Sequence, residues 1–156
     1  MHNGYELRTV GNKDEGVFSL RHFKTAEIVM VGKIKEILSS NDSHASQIAK
    51  GIFARHTGDI PKVNHSCGPN CGVKLNESGA HDFVARRDIT VGEEITFDYA
   101  MRNYIIEHFP LQCACGADNC RGQVTGWKDL SVEQKKHYDG FAAPYLHELD
   151  TELKTR

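Results

Sequence analysis

Asn64-His65-Ser66-Cys67-Gly68-Pro69-Asn70 decides how the rest of this chain is read. With Cys71 directly after it, the stretch sets an amide, an imidazole and two thiols around a Gly-Pro corner, between runs that alternate like strands. Proline fixes φ and glycine admits conformations other residues avoid, so Gly68-Pro69 turns the backbone and lets groups on both sides of the corner point inward together. This is poor material for an apolar core and good material for a site. Asn, Ser, Gly and Pro are also ordinary turn formers, so a surface turn competes with that reading until later segments are added.

Downstream, Val73-Lys74-Leu75 and His81-Asp82-Phe83-Val84-Ala85 predict a hairpin closed by the turn formers between Asn76 and Ala80. The run from Asp88 to Tyr99 turns at Val91-Gly92 and then alternates, ending on Phe97-Asp98-Tyr99. Upstream, Tyr5 to Val10, Gly16 to Leu20, Glu27 to Val31 and Ile34 to Leu38 predict short strands. His44 to Phe53 fits either a pair of short strands or one turn of helix. The tail changes character: Ser131-Val132-Glu133-Gln134 has the spacing of a capping box, Gly140 and Pro144 interrupt the helix, and Tyr145, Leu149 and Leu153 recur at helical spacing. Those three are expected to pack on the sheets.

With 156 residues the chain fits one domain, able to bury roughly two-thirds of the surface its unfolded form exposes. A net charge of −2 gives no basic excess to favour nucleic acid as partner. No apolar run approaches the roughly 18 residues of a membrane span, and the first residues lack the pattern of a secretory signal. The expectation is an intracellular protein, in the cytoplasm, that binds neither membrane nor nucleic acid directly. The oligomeric state is not legible.

The five cysteines are Cys67, Cys71, Cys113, Cys115 and Cys120. In a reducing compartment such spacing favours a metal over disulfides. Cys113-Ala114-Cys115 and Cys120-Arg121-Gly122 supply three thiols within a polar loop, whereas structural zinc takes four ligands in a tetrahedron. A distant fourth ligand is required, and Cys67 and Cys71 are both candidates.

Asn64 to Asn70, Gly92-Glu93-Glu94-Ile95-Thr96-Phe97-Asp98-Tyr99 and the Cys-x-Cys-x4-Cys-Arg-Gly run, in that order, resemble a SET-domain protein-lysine methyltransferase with a post-SET zinc segment, of the compact bacterial type. The resemblance covers Tyr5 to Gly122. It implies a mainly β SET fold of small sheets with a pseudoknot, in which the Asn64–Asn70 and Tyr99 segments cross near the active site; the tail adds short C-terminal helices. The expected division is a SET domain over 5–110, a post-SET zinc segment over 111–126 and a helical tail over 127–156 packed on the same domain.

The resemblance further implies S-adenosylmethionine as methyl donor and the side-chain amine of a lysine in a protein or peptide as acceptor, with nuclear action if that protein is a histone. Glu15, Gly16, Val17, Phe18, Asn64, His65 and Tyr99 map to donor binding, Asn64 through its side chain and His65 largely through its backbone. Tyr99 and Phe97 map to the catalytic positions, and Cys67, Cys113, Cys115 and Cys120 to zinc, leaving Cys71 spare. Transfer to an amine depends on holding a neutral nucleophile close and in line, so positioning carries much of the catalysis, and a hydroxyl at Tyr99 suits that task. Phenylalanine at position 97 cannot donate a hydrogen bond beside the amine, which by the same resemblance allows di- or trimethylation. The family's Gly-x-Gly is reduced to Asp14-Glu15-Gly16, and its motif of tyrosine, one residue and Gly-Glu is replaced by Val31-Gly32-Lys33. A noncatalytic, zinc-stabilised peptide-binding module is the alternative these departures leave, and a methyltransferase acting on a nonprotein amine is a further one.

Overall fold

A computed structural model of the chain describes residues 4–9, 15–42, 45–106 and 112–154, except for the side chains of 153 and 154. Val10, Asp14, His44 and the expected boundary at 110/111 lie outside the described residues, as does the side chain of Leu153. In chain order the strands are β1 (Tyr5–Thr9), β2 (Glu15–Ser19), β3 (Ile28–Met30), β4 (Ile34–Leu38), β5 (Ser46–Ala49), β6 (Ile52–His56), β7 (Asn64–His65), β8 (Cys71–Leu75), β9 (His81–Ala85) and β10 (Glu94–Phe97). Helices α1 (Val132–His137) and α2 (Pro144–Lys154) follow. The stretch ending at Phe53 contributes two strands, because β5 and β4 both pair with β6 and tertiary pairing outweighs the ambiguous local pattern.

The strands form three small sheets, ordered β1-β2-β10-β7, β3-β9-β8 and β4-β6-β5. The hairpin β8–β9 pairs Cys71 with Ala85 through Leu75 with His81. At its edge Gly32 passes so close to β9 that a Cβ there would lie 2.0 Å from the His81 carbonyl oxygen. Close backbone approach therefore accounts for the glycine of Val31-Gly32-Lys33.

The first sheet positions the site. Its strand β10 runs antiparallel to β2, with Glu94 opposite Phe18 and Ile95 opposite Val17, and parallel to β7, with Thr96 opposite Asn64 and Phe97 opposite His65. Past β7 the Ser66 N–H donates to the Phe97 carbonyl at 3.0 Å. After the Gly68-Pro69 corner, Asn70 stands in for a strand residue: its Nδ2 donates to the Glu94 carbonyl (2.8 Å) and its Oδ1 accepts from the Thr96 N–H (3.0 Å). The corner is thus sewn at both ends to the strand that delivers Phe97 and Tyr99.

Val17, Phe23, Met30, Phe83, Ile89, Ile95, Phe97 and Met101 form the core between the sheets. The tail joins it through Trp127, Tyr138, Tyr145 and Leu146, with Leu149 partly buried against them. Burial of three aromatic side chains and Leu146 at ~25 cal/mol per Å² holds the tail down far more strongly than helix propensity in a six-residue α1. Both capping-box bonds are present, Gln134 N–H to Ser131 Oγ (3.1 Å) and Ser131 N–H to Gln134 Oε1 (2.8 Å). Asp150 of α2 ties the tail to the body by accepting from the Trp127 indole (2.8 Å), the Tyr104 hydroxyl (2.9 Å) and Lys135 (2.9 Å). Among the described residues no helix is long and apolar enough to cross a membrane.

Candidate active site and metal centre

The Sγ atoms of Cys67, Cys113, Cys115 and Cys120 all lie within 4.8 Å of one another, and Cys67 and Cys113 are 3.9 Å apart. Four sulfurs about 2.3 Å from a tetrahedral zinc stand about 3.8 Å apart, so the donor set fits the ion in both chemistry and size. Backbone N–H groups already face two of the sulfurs, Cys67 N–H to Cys115 Sγ and Arg121 N–H to Cys67 Sγ, each at 3.4 Å, as suits thiolate charge. Cys71 is fully buried in β8, outside this cluster, and burial pushes its thiol up to about 12.

His65 joins the cluster to the Tyr99 segment. Its Nδ1 accepts the Tyr99 backbone N–H at 3.1 Å, which leaves the ring proton on Nε2, 3.5 Å from Cys67 Sγ. Burial holds the imidazole below its ordinary titration range.

Asp98, fully buried, is the second fixture beside Tyr99. Arg121 donates to it twice, Nη1 to Oδ2 (2.6 Å) and Nη2 to Oδ1 (3.0 Å), Tyr138 donates at 2.7 Å, and the Ala100 N–H at 3.0 Å. A forked, charge-assisted pair of this kind fixes orientation as well as energy. The cysteine loop and the residue that caps the end of α1 thereby clamp the residue that precedes Tyr99. Removing one partner of a buried pair strands the other charge, so Arg121→Ala should cost roughly 3–5 kcal/mol, lowering the melting temperature by roughly 10 °C. A melting temperature within about 2 °C of wild type, measured by scanning calorimetry, would show that the pair carries no such weight.

On the other side of β10 lies a cradle made by the absence of a side chain. A Cβ at Gly16 would come within 2.6 Å of Glu94 Oε1, 3.1 Å of Asn64 Nδ2 and 3.2 Å of Phe18 Cε2. Asn64 Nδ2 donates to Glu94 Oε1 (2.7 Å) and to the Glu15 carbonyl (3.1 Å), while its Oδ1 has no protein donor among the described residues. Glu15, Gly16 and Phe18 are therefore brought together with Asn64, whereas the Val17 side chain points into the core.

Tyr99 packs its ring on Phe97 and on His65, each with centroids 5.1 Å apart, and Phe97 packs in turn on Phe83 at 4.6 Å. Burial raises the Tyr99 phenol above its ordinary value, so the hydroxyl keeps its proton and is a donor, not a base. Phe97 is buried in the core, with its ring against that of Tyr99. Sequence reasoning assigned no site role to Asp98, Glu94 or Tyr138. Asp98 carried a signal, being an acid inside an apolar strand end followed by an arginine in the thiol loop; Tyr138 carried none.

A four-cysteine cluster beside the paired β7 and β10, a glycine packed under Asn64 and Glu94, and a buried tyrosine just past β10 describe a small β-rich domain of the SET class. The chain belongs to the SET domain family, whose model matches residues 14–100. It is similar to the Saccharomyces cerevisiae "Histone-lysine N-methyltransferase, H3 lysine-4 specific" at 40% identity over 75 residues, 46% of this chain and 7% of that protein. Human "Histone-lysine N-methyltransferase SETD1B" is 40% identical over 77 residues, 47% of this chain and 4% of its own length. The chain thus spans less than a tenth of the length of these relatives. Among solved structures, KRYPTONITE in complex with mCHH DNA, an H3(1-15) peptide and SAH superposes with a TM-score of 0.57 at 23% identity, over 77% of this chain and 29% of that one. A Plasmodium falciparum protein described as a histone methyltransferase gives 0.53 at 20%, over 62% and 93%.

Proposed function

We propose that this chain is an S-adenosylmethionine-dependent methyltransferase acting on the side-chain amine of protein lysine. The observation that carries the reading is the convergence on β10 of the Gly16–Asn64 cradle and the Phe97–Tyr99 pair within a chain of the SET family. Bound S-adenosylmethionine supplies an electrophilic methyl group. Glu15 to Phe18 and the His65 backbone offer main-chain groups to it, Asn64 its Oδ1, and the Glu94 carboxylate a negative charge suited to a cationic donor. Tyr99 keeps a protonated hydroxyl that orients the acceptor nitrogen, and positioning of this kind contributes several orders of magnitude in rate. Cys67, Cys113, Cys115 and Cys120 hold a structural zinc that fixes the Cys67 corner and, through Arg121, Asp98.

The acceptor is a protein or peptide, and the H3 lysine-4 in the yeast relative's name with the H3(1-15) peptide of the KRYPTONITE complex make a histone H3 amino-terminal peptide the first probe. Mass spectrometry of that peptide after incubation with donor should show di- or trimethylated lysine for the wild type. Phe97→Tyr places a hydroxyl at this position, where it hydrogen-bonds the amine or holds a water, and should shift the product to a single methyl. Unmodified peptide and unmodified lysate protein would overturn the function; an unchanged product mixture in Phe97→Tyr would remove position 97 from product choice.

A further inference from the structure

Arg102 lies three residues beyond Tyr99, where its side chain is buried at 6% residue exposure. Its Cζ is 4.7 Å from the Phe97 ring centroid and 5.4 Å from that of Phe83. Nε and Nη1 are buried and meet no hydrogen-bond acceptor, and among the described residues no carboxylate is within ion-pair distance. Arg121 shows the contrast: a buried guanidinium kept for structure is matched here to a buried carboxylate. Ring faces compensate Arg102 only in part.

The titratable groups facing Arg102 come from four elements: Tyr99 on its own segment, Tyr145 of α2, His56 of β6 and His81 of β9. Burial holds the His56 imidazole down at about 3 and that of His81 well below its ordinary value, and raises both phenols. None of the four is charged at neutral pH. Burial also draws the guanidinium down to about 10, which leaves it a cation. Among the described residues Arg102 is therefore a cation with no carboxylate partner, behind Phe97 and one ring from Tyr99, while the Glu94 carboxylate acts on Tyr99 from β10.

We infer that Arg102 is an electrostatic positioning residue of the transfer, whose fixed cation behind Phe97 disfavours a lysine ammonium in the acceptor site and favours the neutral amine that can accept a methyl group. The inference rests on the methyltransferase reading above. The proton lost from the ammonium goes to solvent before transfer; the lone pair it leaves forms the new N–C bond as the methyl–sulfur bond of the donor breaks, its electron pair staying on sulfur and the demethylated thioether leaving. A unit charge roughly 10 Å away at an effective dielectric near 20 shifts an amine by about one pH unit.

The test is the pH dependence of labelled methyl transfer to a histone H3 amino-terminal peptide, or to lysate protein, by wild type, Arg102→Met, Arg102→Gln and Arg102→Lys. In the two neutral variants the rising limb should move up by about one pH unit, giving about tenfold slower transfer at pH 7 and recovery at high pH, while Arg102→Lys keeps the wild-type limb. A merely structural role lowers transfer by the same factor at every pH, and an unmoved limb in an active neutral variant overturns the inference. Should neither neutral variant fold, the wild type alone decides: its limb must lie below about 9, and a limb at the ~10.4 of a free lysine overturns the inference. A wild type that transfers nothing at any pH removes the methyltransferase reading, and the inference with it.

Discussion

Cys115→Ser should empty the metal site and abolish methyl transfer. A serine hydroxyl is not a thiolate, and three sulfurs cannot close the tetrahedron that four now outline within 4.8 Å. Binding of structural zinc contributes about 10–16 kcal/mol to small zinc-stabilised folds, so its loss exceeds what a domain of this size can spare. The damage has a defined route: without the metal the loop carrying Arg121 is released, Asp98 loses its two forked bonds, and the backbone that places Tyr99 loses its anchor although Tyr99 itself is unchanged. Metal analysis should fall from one zinc per chain to near zero, with rapid proteolysis after position 112. Cys71→Ser is the internal comparison, because Cys71 lies outside the cluster and its loss should leave metal content unaltered. Full zinc content in Cys115→Ser would refute the four-cysteine assignment.

Tyr99→Phe should lower transfer by about 100- to 1,000-fold while donor binding and melting temperature stay close to wild type, the loss expected when one preorganised hydrogen-bond donor is deleted from a reacting centre. The prediction is sharp because the ring is retained: its packing on Phe97 and His65 and the backbone bond to His65 Nδ1 do not need the hydroxyl. Single-turnover rates separate the outcomes, since a structural defect would weaken donor binding as well. A rate within about threefold of wild type would take Tyr99 out of the chemistry.

Local chemistry made much of this molecule legible. The hairpin of β8 and β9, the capping box at Ser131, the helix start at Pro144 and the corner at Gly68-Pro69 are written in residues that act on their own neighbours. The choice between Cys67 and Cys71 is not local. The two are four residues apart, and only the turn of the corner sends Cys67 towards the thiol loop and Cys71 into the core. Asp98, Arg121 and Tyr138 meet across separations of 23 and 40 residues, which no periodicity or spacing encodes. Arg102 was hidden for another reason: arginine is ordinarily a surface residue, and its burial against Phe97 and Phe83 follows from the packing of β9, β10 and α2 together.

The most direct measurement is calorimetric titration of the folded, zinc-loaded protein with S-adenosylmethionine and with its demethylated product. Saturable binding of one donor molecule per chain is the result predicted by the cradle of Gly16, Asn64 and Glu94. Absence of binding heat with either compound, in a sample shown to be folded and to hold its metal, would contradict the account.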